Sequence, residues 1–407
     1  MNSTPTSNRK HITLFGKTNS GKSSLFNSIL NQNISIVSDF SGTTTDSVSK
    51  AMELLPLGPV LFIDTAGLGD TSLLGEQRIK KTISELNRTD FALYIIDGIN
   101  FLKNTSIENN IDLELYNEQK ILFKKYGIDH FLIINKSDLL NNEERESLSS
   151  FFESPIFTSI QEPDSLFSLK KKIVTKLQDK VNEPSLIKDF LNYGDTLVMV
   201  VPIDSEAPKG RLILPQVQLL RDCLDSGIKV HVLRDTELQE GIQELKNINL
   251  VVTDSQAFKQ VNQIINGRFP LTSFSILFAN QKGDLKEFIN GVNTIKTLKE
   301  NSKILIAETC THNTSHEDIG RYKIPALLQK KTGKNFYFTF FSGKDFPENL
   351  EEFDLIIHCG GCMITRKAMM NRINQSKEKT TPITNYGIVL AYLNDILNNS
   401  YSALHIK

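Results

Sequence analysis

Apolar residues fall in short runs at regular intervals over the first 180 positions. "ITLF" (12–15), "VLFIDT" (60–65), "FALYIID" (91–97) and "HFLIINKSD" (130–138) begin as strand-sized apolar runs, and helix-length stretches separate them. This rhythm predicts a mainly parallel sheet covered by helices. The basic stretch "LKKKIVTKL" (169–177) belongs to one such helix. Leu166, Leu169, Ile173, Val174 and Leu177 recur at helical spacing, so the lysines form its wet face. Asn182, Pro184 and Ser185 then interrupt the pattern, which marks a seam.

A second α/β unit follows. "TLVMVVPI" (196–203), "KVHVL" (229–233) and "NLVVTD" (249–254) read as three strands, with the helical patterns "LPQVQLLRDCLDSG" and "ELQEGIQELKN" between them. So small a unit has difficulty covering both faces of a sheet, and pairing with a second copy would help. A break at "NGRFPLTSFS" opens the last unit, whose clearest strands are "KILIAET" (303–309), "NFYFTFF" (335–341) and "DLIIH" (354–358). The expected architecture is α/β in three domains, 1–180, 181–270 and 271–407, each a mainly parallel sheet flanked by helices.

Composition narrows the function classes. The 407 residues exceed one ordinary domain, and 39% hydrophobic with 23% charged residues is that of a soluble globular chain. Forty-six basic against forty-seven acidic residues leave no net field for polyanions, and no local basic patch stands out, so nucleic acid is not expected as a partner. No apolar run reaches membrane-spanning length, and the polar start "MNSTPTSNRKH" has no signal core. A cytoplasmic protein is expected. Four cysteines are too few for a disulfide scaffold, so a close pair points to metal or redox chemistry.

"GKTNSGKS", Gly16 to Ser23, follows the strand "ITLF" and opens the helix "KSSLFNSIL". Two glycines five apart, then Lys and Ser, form a phosphate-binding loop: backbone N–H groups and the helix N-terminus surround phosphate oxygens. Gly16, Asn19, Ser20, Gly21, Lys22, Ser23 and Ser24 are its candidate nucleotide-binding residues. Lys22 supplies charge at the β and γ phosphates, and the Ser23 hydroxyl binds Mg²⁺. "SGTTTD" (41–46) offers Thr43 and Thr44 to close over Mg²⁺. "DTAG" (64–67) brings Asp64 to the Mg²⁺ shell and a Gly67 N–H to the γ-phosphate. Asn135, Lys136 and Asp138 of "NKSD" follow a strand, where Asp138 can accept two N–H groups of guanine; Ser159 of "FTSI" backs the base. The four elements, in this order, describe a GTPase.

This arrangement resembles the Era and tRNA-modification (TrmE) type of GTPase. Leu68 stands where Ras-like enzymes place a water-orienting Gln, and Asn19 stands where the TrmE-like group binds K⁺. The resemblance implies hydrolysis that K⁺ stimulates and Na⁺ does not; the plain alternative is that Asn19 fills a turn.

Near the other end, "FDLIIHCGGCMIT" places Cys359 and Cys362 after one strand, while "ETCTH" places Cys310 after another. Strand ends of a parallel sheet share one side, so three thiols would converge. An iron–sulfur cluster suits thiolates and the Gly360–Gly361 spacer; zinc would take His358, His312 or His316 as a fourth ligand; a redox or structural pair is the third option. Cys223, inside a helix, reads as a buried small apolar residue.

A GTPase followed by Cys310-x-His312, 45 intervening residues, then His358-Cys359-x-x-Cys362 resembles the HydF family of FeFe-hydrogenase maturation GTPases. "APKGRLILPQVQ" and "GPVLFIDTAGLGD" also look like family segments. The resemblance implies a homodimer formed through residues 181–270 and a [4Fe–4S] cluster held by Cys310, Cys359 and Cys362, with a weak fourth ligand. It also implies a scaffold that uses GTP/GDP and Mg²⁺, receives a transient diiron precursor from the radical-SAM maturases HydE and HydG, and passes it to apo FeFe-hydrogenase. His312 and His358 are then neighbours of the cluster or its cargo. A TrmE-like RNA-modification GTPase with a zinc-stabilised tail and a GTP-switched regulator with a structural zinc module are the competing readings.

Overall fold

Residues that face opposite ways along the first strands settle into separate cores. Ile12, Leu14, Leu93, Ile95 and Ile133 pack on one side with Leu25 and Ile29 of the helix Lys22–Asn31 and Leu169 and Ile173 of the helix Pro163–Gln178. Phe15, Ala92, Tyr94, Ile96 and Ile134 point the other way, toward Tyr116 and Phe123 of the helix Ile111–Lys125. That is the two-residue period of a strand covered on both faces. The sheet has the order β2-β3-β1-β4-β5-β6. Its strands are β1 (Lys10–Gly16), β2 (Val48–Leu54), β3 (Gly58–Asp64), β4 (Phe91–Asp97), β5 (Asp129–Asn135) and β6 (Ile156–Phe157). All pair in parallel except β2, which runs antiparallel to β3 at the edge.

The computed structural model describes residues 6–31, 47–65, 75–103, 110–178, 184–203, 212–309, 319–343, 346–361, 363–402 and 404. It divides into two compact units, Met1–Asn182 and Glu183–Lys407.

The second unit holds two four-stranded sheets. One has the order β10-β9-β7-β8, from β7 (Thr196–Val200), β8 (Lys229–Leu233), β9 (Ile248–Thr253) and β10 (Leu271–Ser273). The other has the order β12-β11-β13-β14, from β11 (Lys303–Glu308), β12 (Tyr337–Ser342), β13 (Leu355–His358) and β14 (Ile383–Asn385). Every pairing in both is parallel. One apolar core runs through both sheets, from Leu186 through Leu197, Leu277, Ile304 and Ile356 to Leu404. The helix Phe274–Lys282 buries Phe274, Ile276, Leu277, Phe278 and Ala279, with Ser275, Asn280 and Gln281 partly buried and Lys282 buried at its end.

Two features correct the sequence reading. The middle sheet has four strands rather than three, and its fourth, β10, lies past residue 270, so a division there falls inside the sheet. The signals Asn266, Gly267 and Pro270 mark a turn between a helix and β10, with Asn266 and Gly267 both at positive φ (46° and 71°), and not a break between cores. The three-residue strands β10 and β14 are too short to leave a periodic signal. Cys223, as expected, is fully buried, and burial pushes its thiol up to about 12.

Candidate functional site

β1 ends at Gly16 and the next helix begins at Lys22, so the intervening turn hangs over the carboxyl edge of the first sheet. The turn closes through the Ser20 N–H donating to the Lys17 carbonyl at 3.2 Å, with Asn19 left-handed at φ 66°. Gly21 has φ 89°, and a Cβ there would lie 2.2 Å from Asn135 Nδ2. That contact matters because Asn135 Nδ2 donates to the Ser20 carbonyl at 3.1 Å, fastening the loop after β5 to the loop after β1. Only glycine satisfies both the backbone angle and the approach.

The buried Lys22 ammonium donates to the carbonyls of Gly16 at 3.0 Å and Lys17 at 2.8 Å. Burial pushes it down to about 8, with Asp64 pulling partly the other way. The Ser23 hydroxyl donates to Asp64 Oδ2 at 2.5 Å. Burial raises the Asp64 carboxyl, and the Ser23 hydrogen bond and Lys22 charge offset part of that rise. Asp64 Oδ1 and Ser20 Oγ are buried with no hydrogen-bond partner among the described residues. Buried polar atoms are normally satisfied, so a carboxylate oxygen and a hydroxyl left over in this loop fit a hydrated Mg²⁺ and a phosphate oxygen. Ser23 and Asp64 are the described residues that could hold the metal. Thr43, Thr44, Gly67 and Leu68 lie outside the described residues, while Ser24 is exposed on the helix's first turn.

The base-side residues converge on the ends of β5 and β6. Lys136 is left-handed at φ 62°, and its ammonium reaches Asp97 Oδ2 at 2.6 Å. The Thr158 N–H donates to the Ile134 carbonyl at 2.9 Å and the Ser137 N–H to the Thr158 carbonyl at 3.0 Å, which holds the two loops together. Asp138 is exposed in the single turn Ser137–Leu139, its carboxylate open to a ligand's N–H groups. Ser159 is buried, and its Oγ accepts from the Gln161 N–H at 3.0 Å.

In the second unit, β11 and β13 are direct neighbours, with Ala307 opposite His358. The Cys359 N–H donates to the Ala307 carbonyl at 2.8 Å. The Thr309 N–H donates to Cys359 Sγ at 3.3 Å, and the Thr309 hydroxyl lies 3.3 Å from the same sulfur. Thr309 precedes Cys310, so the two cysteine-bearing strand ends lie side by side. Cys310, His312, His316 and Cys362 are outside the described residues. Among the described residues no three metal-binding side chains gather. What is described fits a thiolate-ligated group: a nearly buried sulfur that accepts an N–H at a strand end.

After Cys359 the chain turns sharply. The Ile364 N–H donates to the Gly361 carbonyl at 3.2 Å, bracketing position 362. Gly361 has φ 65°, and a Cβ there would lie 2.4 Å from Met369 Cε. Thr365 then caps the helix Arg366–Glu378, its Oγ1 accepting from the Ala368 N–H at 3.3 Å.

Three cations that the sequence reading did not single out surround this loop. Lys282, buried at the end of its helix, donates to the carbonyls of Gly361 at 3.3 Å and Ile364 at 3.0 Å. Arg366 donates to the carbonyls of Gln281 and, at 3.1 Å, Gly283. Arg372 Nη1 lies 2.8 Å from His358 Nε2, its Nη2 donates to the Gly343 carbonyl at 3.2 Å, and its guanidinium lies 5.0 Å from the Phe346 ring centroid. His358 Nδ1 lies 2.7 Å from the Cys359 carbonyl. The fully buried imidazole thus donates through Nδ1 and accepts Arg372 at Nε2, so both ring nitrogens are engaged. The one trace of these cations in the sequence is a lysine closing the helix that carries the apolar run Ile276–Ala279.

Comparison with known proteins follows the same division. Residues 11–136 match a family described as 50S ribosome-binding GTPase. Residues 186–283 match the hydrogen maturase F dimerization domain, and residues 286–403 its tetramerization domain. Among individual proteins, GTPase Der of Kosmotoga olearia is 35% identical over 185 residues, covering 40% of this chain and 39% of that protein. The tRNA modification GTPase MnmE of Flavobacterium johnsoniae is 32% identical over 185 residues, covering 45% of this chain and 36% of that protein. The chain therefore spans about two-fifths of the length of these relatives. Translation elongation factor SelB from Methanococcus maripaludis, solved with a GTP analogue, is 19% identical with a TM-score of 0.31, covering 42% of this chain and 34% of that one. No helix among the described residues is long and apolar enough to cross a membrane. With both hydrogen maturase F domains in order behind a GTPase domain, the chain belongs to the hydrogen maturase F family.

Proposed function

We propose that this protein is a GTP-hydrolysing scaffold of the cytoplasm that binds a [4Fe–4S] cluster through Cys310, Cys359 and Cys362. It carries the diiron precursor of the FeFe-hydrogenase active site, received from radical-SAM maturases, to apo-hydrogenase. The observation that carries this reading is the contact of Thr309 with the Cys359 sulfur, which joins the strand end before Cys310 to the strand end before Cys362. In this reading the first unit, Met1–Asn182, is the GTPase domain, residues 186–283, β10 included, supply the dimerisation surface, and residues 286–403 bind the cluster.

In the GTPase domain, Lys22 meets the β and γ phosphates and Ser23 ligates Mg²⁺ with Asp64 beyond it. Thr44 and Gly67 complete the closure, with Thr43 beside them. Asn135, Lys136 and Asp138 hold guanine, and Asn19 helps bind K⁺. In the cysteine loop, Cys359 receives the Thr309 N–H, and His358 holds the Cys359 carbonyl so that the sulfur keeps one orientation. Cys310, Cys359 and Cys362 would hold the cluster, which when bound would offer the cargo a docking point.

Oligomer formation is supported by two sheet edges. In β8, Val232 is 45% exposed, and in β12, Tyr337 is 62% exposed and Phe340 38%. Apolar edge strands left open are templates for pairing, and here the occupant is a second copy of the chain. They fall in the regions that match the dimerization and tetramerization domains, respectively.

Anaerobic reconstitution with iron and sulfide tests the reading. The expected result is about four iron and four sulfide per chain, lost in Cys359→Ser with GTP turnover unchanged. Stoichiometric zinc with no sulfide would sink the cluster assignment.

A further inference from the structure

Beyond the two loops, one side chain is hard to explain as packing alone. Lys282 sits 79 residues before Gly361 in sequence, yet its ammonium donates to carbonyls on both sides of position 362. It is only 5% exposed, at the end of a helix whose other buried residues are all apolar. Burying an ammonium is costly, so a lysine retained there must do something an apolar residue would not.

We propose that Lys282 is a positioning and charge-compensating residue for the cysteine loop, acting on the cluster that Cys359 and Cys362 help to hold. The inference rests on the cluster reading above. It goes further by assigning a residue outside the cysteine and histidine motif.

Geometry gives the first reason. Among the described residues the turn from Gly361 to Ile364 is closed by the Ile364 N–H, which donates into the same Gly361 carbonyl that Lys282 grips. A flexible turn held from outside by a multi-donor cation keeps its carbonyls directed at the ammonium. Gly361, at φ 65°, permits that path.

Electrostatics gives the second. Thiolate-ligated clusters carry net negative charge, and nearby positive charge and hydrogen bonding set how readily they accept an electron. Lys282 places a full charge against the backbone of the turn, and the N-terminus of the helix Arg366–Glu378, which follows the turn, adds its positive pole. Screening by water is weak because the group is buried. The outcome is a cluster held at a higher potential than the cysteines alone would give. Arg372 also reaches the cysteine strand end, through His358, whose other ring nitrogen meets the Cys359 carbonyl.

The test uses full-length protein, reconstituted anaerobically, as wild type, Lys282→Arg and Lys282→Met. Three quantities are read: iron and sulfide content, the rate of iron loss to a chelator, and the midpoint potential followed by electron paramagnetic resonance. K282M is expected to lose iron about tenfold faster and to show a more negative potential; K282R is expected to stay near wild type in both. GTP turnover, in the other unit, should be the same in all three. K282M matching wild type in potential and iron retention would overturn the proposal, as would K282R being as impaired as K282M. If K282M loses the oligomer and thus its fold, Lys282→Gln replaces it under the same criteria, because glutamine keeps N–H donors without the charge. A wild-type protein that takes up no cluster at all fails at the preceding step and overturns the cluster reading itself, and with it this inference.

Discussion

Both loops in this chain are built on the same device, a buried lysine whose ammonium is gripped by carbonyl oxygens of a glycine-containing turn. In the phosphate loop, Lys22 donates to Gly16 and Lys17, six and five residues away. In the cysteine loop, Lys282 donates to Gly361 and Ile364, 79 and 82 residues away. The first device is local, so it is written as a motif. The second comes from packing: it exists only once the helix Phe274–Lys282 is buried in the core that both small sheets share. The difference teaches why a nucleotide site survives transplantation among many proteins, while a cysteine loop of this kind depends on the whole unit around it.

The sharpest break of the comparison is Lys22→Ala. Losing the charge at the β and γ phosphates should cut GTP hydrolysis by on the order of 10²-fold or more. Iron and sulfide content, measured on the same preparation, should not change, because no described part of the second unit depends on Lys22. Parallel loss of iron would show that the two loops are coupled through folding, and the contrast between them would fail.

Next in size is Arg372→Met. The change strips the partner from His358 Nε2 and from the Gly343 carbonyl, both otherwise buried or half-buried, and removes the guanidinium over Phe346. Leaving such groups unsatisfied should cost the second unit about 3 kcal/mol. Chemical denaturation of the wild-type and variant proteins measures this directly. An unchanged midpoint would mean that Arg372 is ornamental and that His358 is held by something else.

Legibility in the sequence follows the same line between local and remote. Apolar run length was enough to place β1, β3, β4, β5, β7, β8, β9, β11, β12 and β13, because each is long enough to leave a pattern. β10 and β14, three residues each, and the antiparallel edge β2 left none. Within the phosphate loop, motif order alone brought together Lys22, Ser23, Asp64 and Asn135. Spacing could set Cys359 beside the end of β11, since parallel neighbours end on one side. It could not supply Arg372 or Lys282. Nothing in a single sequence ties Lys282 to position 361, or Arg372 to His358. His358 was legible as a candidate, but its two engaged nitrogens were not, since hydrogen-bond saturation is a property of the packed core.

A smaller effect is expected from the monovalent cation. Asn19 is exposed and left-handed at φ 66°, a conformation that asparagine tolerates well, so its backbone alone is explained by the turn. If its side chain also helps hold K⁺, GTP turnover in KCl should exceed that in NaCl severalfold, and Asn19→Ala should erase the difference. Equal rates in the two salts would leave Asn19 as a turn residue only and would make this loop less specialised than its neighbours in the motif.

The smallest effect asks whether the phosphate loop holds its charge in readiness. Burial without a bound anion pushes Lys22 down to about 8, with Asp64 only partly offsetting it. Phosphate binds the protonated ammonium, and a bound polyanion raises the pKa of that group well above its free-protein value. Protonation is therefore nearly complete below about pH 7 and falls away above the pKa of the empty loop. The sign follows: affinity for GTP is flat from the neutral region downward and weakens as pH rises through 8. Taking the protonated fraction alone, GTP should bind about fourfold more weakly at pH 8.5 than at pH 7. Titration calorimetry with Mg²⁺ and a non-hydrolysable GTP analogue would measure it, and proton uptake on binding should appear in the same window when two buffers of different ionisation enthalpy are compared. Affinity that is level across that range, with no proton uptake, would mean that the two carbonyls hold Lys22 charged without help from a phosphate.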